Sequence, residues 1–574
     1  MAPLFSSSSI TRVLAIPELL DLIFRYLDDK SNTSNALVCT QWSEVALNIL
    51  WSNLSDLARL FRILRPLEKV AGDKDAVYAW SVAPDASDWK RLEKYTRRVR
   101  RLIFDADYGT PLEASVFEDA SRTRTSLAIL PNLVYLDWRA PLPLSVIFMS
   151  SHVKTFILWM PQDETSPTAE FRSFFRDVTT RMPNLTTLDI RTIIPMHDIE
   201  DDMVFLFESL TKLRKAVFPR YHVTTRIAET LARLEDFGCL EFQYHQDQGI
   251  GDPDDTSSVF RPKLQMGAFP SLWDVSMTVT LDDALAFMKQ PFSPTNLTTL
   301  YVDSALIESP SIVQEFLESL SDSCQLLEGL GILAHIDNTD NRQLSDIPSD
   351  LRINFSNLQP LLVFPNLVTF ELIHQFPLDL TIDNIQQLAQ SWPSLRKLIL
   401  NNEPAVSDHC DLTLGALLPF ATHCRELEHL GLFINASSGD LPSAYAATTY
   451  QLKPFAKLRR LSTGTSLISE PGEVALFLSQ ICPLGIALDF GVTWDHAAPD
   501  DSESDTLERI DAIGIRCDKW AKAREHLPLL TKLRAEERSR TRLLTEEVTD
   551  LRMRSSVLLD TLQAGRGEDS CIPL

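Results

Sequence analysis

Four side chains able to hold a metal stand close together: His409-Cys410 and, after a gap of 12 residues, His423-Cys424. Two thiolates and two imidazoles would suit zinc. Cys424, however, stands three residues before a Leu-type position of a repeat, where Cys324 and Cys482 stand in other copies. Phe269, Phe364, Trp392 and Phe455 fill that place elsewhere. A slot shared by Cys and large aromatics is an apolar packing slot, in which a thiol acts as a small hydrophobe. No metal and no cofactor are therefore expected. The phosphate-cradling GxxxxGK[ST] and GxGxxG, the nucleophile turn GxSxG and the zinc helix HExxH are all missing from the chain. His374 and His429 fall beside or within expected strands and read as packed or solvated, His429 on the face a partner would meet. The chain reads as a binding protein, not an enzyme.

The elements around these residues come from the repeat itself. Residues 130–138, 182–190, 269–277, 364–372 and 392–400 share the order apolar-Pro-Asn/Ser-Leu-x-x-Leu-x-apolar. Looser copies lie at 294–302, 324–332, 424–432 and 455–463, and fainter ones near Thr96, Leu210, Leu234 and Cys482 and at 152–159. Their first Leu-type positions are 99, 133, 153, 185, 213, 237, 272, 297, 327, 367, 395, 427, 458 and 485, spaced 20 to 40 residues apart. Two apolar residues separated by one have strand periodicity. Upstream segments have helix periodicity: Ile312, Val313, Phe316, Leu317 and Leu320 share one face, as do Ile385, Leu388, Ala389 and Trp392. Each such helix needs neighbouring repeats to cover its stripe, which predicts a solenoid.

This middle region, 96–492, resembles a leucine-rich-repeat domain of the long, helix-containing kind, although the Asn or Cys after each strand is mostly missing. In that arrangement the third and fifth residues of Leu-x-x-Leu-x-Leu face the concave surface. The candidate partner-binding residues are then Tyr135, Asp137, Thr187, Asp189, Asp274, Tyr301, Glu371, Lys397 and His429. Acids outnumber bases among them, which would steer a basic or mixed-charge partner.

The N-terminal segment carries a second pattern. Ile16, Leu19, Leu20, Ile23 and Leu27 recur at helical spacing, with Pro17 suited to a first turn. Leu37, Val38, Trp42, Val45, Ala46 and Ile49 suggest two further short helices, and Trp51 closes the segment. Ile16-Pro17-Glu18-Leu19, Ile23, Leu27, Val38-Cys39-Thr40-Gln41-Trp42 and Trp51 together resemble the F-box motif. The resemblance implies docking to a Skp-type adaptor and, through it, to the cullin of an SCF-type RING ubiquitin ligase. It assigns the adaptor contacts to Pro17, Leu20, Ile23, Leu27, Val38, Cys39 and Trp42. A unit this small cannot bury so many large apolar side chains alone, and an exposed apolar patch marks a partner site.

The chain of 574 residues carries a net charge of −24, which argues against nucleic acid and anionic lipid as partners. No run of apolar residues is long enough for a membrane span. Its 8 cysteines form no CxxC pair and read as reduced intracellular thiols. The expected fold is α/β: a helical F-box (11–58), linker helices (59–95), an irregular repeat solenoid (96–492), an acidic linker (493–506) and C-terminal helices (507–566). Disordered residues 1–10 and a tail, 567–574, flank these parts. In the C-terminal segment Leu544, Val548, Leu551 and Leu558 form an apolar stripe that would cap the solenoid or meet another chain. An F-box joined to irregular long repeats resembles the expanded fungal F-box families. It implies a cytoplasmic or nuclear receptor that captures a protein substrate for ubiquitin-dependent degradation, the alternative being a scaffold that holds partners without degrading them.

Overall fold

The computed structural model describes residues 14, 16–70, 77–160, 169–244, 246–257, 260–334, 351–405, 410–437, 452–492 and 504–567. The expected disordered N-terminus, residues 493–503 of the acidic linker, residues 568–574 and His409 lie outside them. The chain forms two units, Met1–Val302 and Asp303–Leu574.

The first unit opens with three helices, α1 (Pro17–Arg25), α2 (Asp29–Asn35) and α3 (Thr40–Ser52). A parallel sheet follows directly. Its strands are Asn53–Leu54, Arg101–Asp105, Tyr135–Arg139, Thr155–Trp159, Thr187–Arg191, Lys215–Phe218, Cys239–Phe242, Asp274–Met277 and Thr299–Ser304, each beside the next. Parallel neighbours require a crossover between them. Helices such as Ala114–Thr123, Ala169–Arg181, Met196–Ser209 and Leu281–Met288 supply it on one side. Register aligns Leu102, Leu136, Phe156, Leu188, Ala216, Leu240, Val275 and Leu300 in one row, all buried under that helical layer. Each of these side chains except that of Ala216 contributes about 1.5–3 kcal/mol by leaving water.

The second unit repeats the scheme with strands Gly329–Ala334, Thr369–His374, Lys397–Leu400, His429–Leu432, Arg460–Gly464 and Ala487–Phe490. Leu330, Phe370, Leu398, Leu430, Leu461 and Leu488 form its buried row. Helix Pro310–Ser323 shows why the crossovers form: the Ser309 hydroxyl accepts from the Ile312 N–H, Pro310 sits in the first turn, and Val313, Phe316, Leu317 and Leu320 are buried. Phe316→Ala would cost about 3–5 kcal/mol there. Cys324, Cys424 and Cys482 are all buried at their shared slot, as are Phe269, Phe364, Trp392 and Phe455. All fourteen Leu-type positions read from the sequence stand two residues before a strand, from Val99 before Arg101 to Gly485 before Ala487.

Three regions differ from expectation. Residues 59–95 hold more than helices: after helix Leu57–Leu64 comes an antiparallel hairpin, Leu67–Val70 with Val77–Trp80, and then helix Ala86–Thr96. Phe61 packs on Trp80 and Phe117 at ring separations of 5.3 and 6.0 Å, so this segment belongs to the body of the first unit. The loop around Asp252 to Asp255, whose run of acids reads as a solvated insertion, is anchored instead. The Asp255 carboxylate accepts from the Met196 and His197 N–H groups at 2.7 and 3.3 Å, capping helix Met196–Ser209. The C-terminal segment is a single helix, Ser504–Gly567. Its first half buries Trp520, Ala523, Leu527 and Thr531 beside helix Pro471–Ile481 and strand Ala487–Phe490. The Trp520 indole N–H donates to the Ser466 carbonyl at 3.0 Å.

Candidate functional site

The three N-terminal helices form a small core and a larger apolar exterior. Pro17 and Glu18 suit the start of α1, the Asp28 carboxylate accepts from the Ser31 N–H to start α2, and the Cys39 sulfur accepts from the Trp42 N–H to start α3. Asn32 is buried and donates to the Phe24 carbonyl at 2.9 Å, which fixes the turn between α1 and α2. Leu20, Phe24, Val45 and Ala46 make the core, with Trp42 half-buried edge-on against Phe24 at 5.3 Å. Leu20, expected to touch the adaptor, is 0% exposed; it lies one turn before Phe24 on the face turned to α3, so it holds the module together.

Five of the seven expected contacts do reach water: Pro17, Ile23, Leu27, Val38 and Cys39. Ile16, Leu22, Tyr26 (91% exposed) and Leu37 (86% exposed) extend the same apolar exterior. Leu37 and Val38 lie in the turn between α2 and α3, not on a helix as expected. The missed signal was in α1 itself. With Leu20 and Phe24 on one side, Leu22 and Ile23 around the other, and Tyr26 and Leu27 in the turn that follows, the segment is apolar on two faces, and the module covers only one.

The module is joined stiffly to the sheet. Trp51 is buried against Tyr95 at 4.9 Å, with the Arg59 guanidinium over its ring at 4.4 Å. Arg98 is buried and donates to the Glu44 carbonyl and carboxylate and to the Asn48 side-chain oxygen. That hydrogen bond holds the Glu44 carboxyl below the usual carboxylate range. Asn53 and Leu54, directly after α3, pair with Arg101 and Leu102 as the edge of the sheet.

The second candidate surface is the open face of each sheet, opposite the buried rows. In the first unit Tyr135, Asp137, Thr187, Asp274 and Tyr301 lie there half-buried, as expected from strand alternation. Asp189 is on the same face but buried, because Arg191 pairs with it at 3.2 Å and the Gln248 amide donates to it at 2.9 Å. Gly249 permits that approach: at φ +84° a Cβ would sit 2.0 Å from the Thr192 carbonyl oxygen. Asp189 is therefore an anchor of the loop that covers it and no longer a free contact.

Around these residues the face is a set of stacked and paired groups. The Arg101 guanidinium lies 3.8 Å above the Tyr135 ring. Trp159 is held between Arg139 and Arg191 at 4.7 and 4.6 Å and donates its N–H to Asp137 at 2.9 Å. Burial pushes the Asp137 and Asp274 carboxyls above their usual range. Cys239 beside Asp274 is pushed up to about 12, also by burial. Lys215 pairs with Glu241.

In the second unit Glu371 and Lys397 pair at 2.7 Å on adjacent strands, and His429 meets the Ser462 hydroxyl at 2.8 Å. Burial, with Lys397 and Arg460 nearby, lowers the His429 pKa to about 4, so its ring is neutral near pH 7. Of the four acids read from the sequence, Asp189 and Glu371 are thus ion-paired in place, while Asp137 accepts from Trp159 and Asp274 from the Cys239 thiol. Reading only third and fifth positions missed Arg139, Trp159 and Arg191, which stand at seventh positions at the strand ends, and reading only the clearer copies missed Arg101, the third position of a faint one.

His374 is buried between the Glu308 and Phe376 carbonyls, and Cys424 contacts the Ala389 and Trp392 carbonyls. Among the described residues no three His, Cys, Asp or Glu side chains gather to hold a metal, and no helix is long and apolar enough to cross a membrane.

Comparison with known proteins bears on the first surface. The F-box-like family model matches residues 17–56. No curated protein matches the chain. Among solved structures, the yeast Rad7–Elc1 complex is similar at 14% identity over 77% of this chain and 97% of that one, with a TM-score of 0.36. The TLR13–ssRNA13 complex is similar at 13% identity over 69% of this chain and 55% of that one, with a TM-score of 0.33. The helical module at residues 17–56 is an F-box-like domain, followed in the chain by parallel sheet layered with helices.

Proposed function

We propose that this chain is a substrate receptor of an SCF-type cullin–RING ubiquitin ligase, working in the cytoplasm or nucleus. The F-box-like domain docks a Skp-type adaptor and through it the cullin. The open sheet face holds a protein for ubiquitin transfer by the other subunits. The chain itself supplies position and no bond-making chemistry. The observation that carries this reading is the apolar exterior of residues 16–38, left in water on a domain whose family binds such adaptors. The stiff joint through Trp51, Arg98 and Asn53–Leu54 suits the role, because a receptor must hold its cargo at a fixed reach from the transferring subunit.

The test is co-purification of the full chain with the adaptor and cullin, beside the variants Ile23→Asp and Leu37→Asp. Both side chains are exposed, so the fold should survive. Capture by the natural chain and loss in both variants is the expected result. Adaptor capture that neither variant disturbs would overturn the assignment of this surface, and no capture by the folded natural chain would overturn the reading itself. Turnover of a captured protein then separates a degradative receptor from a scaffold.

A further inference from the structure

The C-terminal helix has two halves with different surroundings. Up to Arg538, which donates to the Gln480 carbonyl, it lies against the second unit. From Ser539 to Leu559 every side chain is exposed. At about 1.5 Å per residue this stretch continues for about 30 Å beyond Arg538. A lone helix of this length is marginal in water.

Four of its eight large exposed apolar residues share one stripe. Leu544, Leu551 and Leu558 are seven apart, and Val548 lies between the first two. Leu544, Val548 and Leu551 are 60%, 45% and 56% exposed. In heptad terms the leucines take position d, while Thr541, Val548 and Ser555 take position a. Val548 at a with Leu at d is the combination that favours two parallel strands, while Thr541 and Ser555 place hydroxyls at the other a positions.

The charges agree. Arg542–Glu546 and Arg554–Asp550 pair within the helix, away from the Glu547–Arg552 positions. Glu547, at position g, and Arg552, at the e position five residues on, make no ion pair within the described residues. In a parallel, in-register pair of helices these two positions face each other across the seam. Each copy would offer Glu547 to the other's Arg552, giving two symmetric bridges. Residues 541–558 carry three arginines and three acids, so the segment adds no net charge to the repulsion between two copies of a chain charged −24.

We propose that residues 541–558 bind the same segment of a second copy as a short parallel two-stranded coiled coil. The inference does not rest on the adaptor reading, since nothing in it involves the F-box-like domain. If both hold, one assembly presents two receptors and two open faces, and a partner with two copies of its recognition element gains avidity.

The test is the mass of the full chain in solution over a concentration series, by light scattering or sedimentation. The expected mass approaches twice 64.8 kDa at micromolar concentration. Leu551→Asp should raise the dissociation constant about thirtyfold or more, by placing a carboxylate in the seam. Arg552→Glu should also weaken the dimer, and the double change Glu547→Arg with Arg552→Glu should restore it. Under oxidation Leu544→Cys should cross-link two copies, while Leu543→Cys, off the seam, should not. A monomer at every concentration overturns the proposal. So does a dimer indifferent to Leu551→Asp, or one in which the charge swap fails to rescue or Leu543→Cys cross-links as readily as Leu544→Cys.

Discussion

The exterior of the F-box-like domain and the open face of the sheet are opposite kinds of surface. The first leaves Ile23, Leu37, Val38 and the Tyr26 ring in water. The second leaves few charges alone: Arg191 has Asp189, Lys397 has Glu371, and Trp159 is stacked and hydrogen-bonded. Binding at the first gains mainly from burial of apolar area, which is roughly proportional to area and little affected by salt. Binding at the second must exchange existing pairs for new ones, so geometry decides the balance and specificity follows. A constant adaptor suits the first surface, and a selected cargo suits the second.

The contrast within α1 gives the largest expected effect. Leu20 and Ile23 are three residues apart, yet one is core and the other exterior. Leu20→Ala should destabilise the module by about 2–5 kcal/mol, because it empties a closed site. Hydrogen exchange across α1 to α3 should then rise, and adaptor capture should fall with it. Leu37→Asp should leave exchange unchanged and weaken the adaptor complex by about 2 kcal/mol, roughly thirtyfold. If the two variants lose binding and stability in the same proportion, the division of α1 into inner and outer faces is wrong.

Trp159→Ala probes the other surface. It removes two guanidinium stacks, each worth about 0.5–1 kcal/mol at such a site, and the hydrogen bond to Asp137. Denaturant unfolding should show a loss of about 1.5–3.5 kcal/mol, with adaptor capture untouched. A protein held on this face should be released progressively as salt rises, whereas the adaptor should stay bound. Equal salt sensitivity at both surfaces would erase the comparison.

What could be read in advance followed from periodicity. The order Leu-x-x-Leu-x-Leu located strands even in poor copies, such as Thr155–Trp159, because one buried position in the turn and two in the strand are fixed by the same layer. The strand Asn53–Leu54 was invisible, since two residues carry no period and only pairing with Arg101–Leu102 defines them. The open-face pairs were hidden for a related reason. Asp137 with Trp159 and Glu371 with Lys397 are 22 and 26 residues apart, and each becomes a contact only when strands align. Leu20 was misplaced because the motif resemblance marks the helix and not which of its sides the module uses, a choice settled by Phe24.

The smallest effect concerns His429. Its folded pKa of about 4 lies below the ordinary 6.5 because its half-buried ring sits near Lys397 and Arg460. Between those two values the unfolded chain binds a proton that the folded chain refuses, so stability rises with pH through that window and falls as pH drops from 6.5 toward 4. His429→Gln removes the titration and keeps a polar side chain within reach of Ser462. Unfolding followed at pH 7 and again near pH 5 should therefore show a smaller difference in the variant than in the natural chain. Exposure and screening by solvent keep this term small beside those of Leu20 and Trp159. An identical pH slope in both proteins would mean that the ring takes up its proton in the folded state. The open face would then hold a cation where a neutral ring is described, and the salt dependence expected for its partner would shift toward acidic cargo.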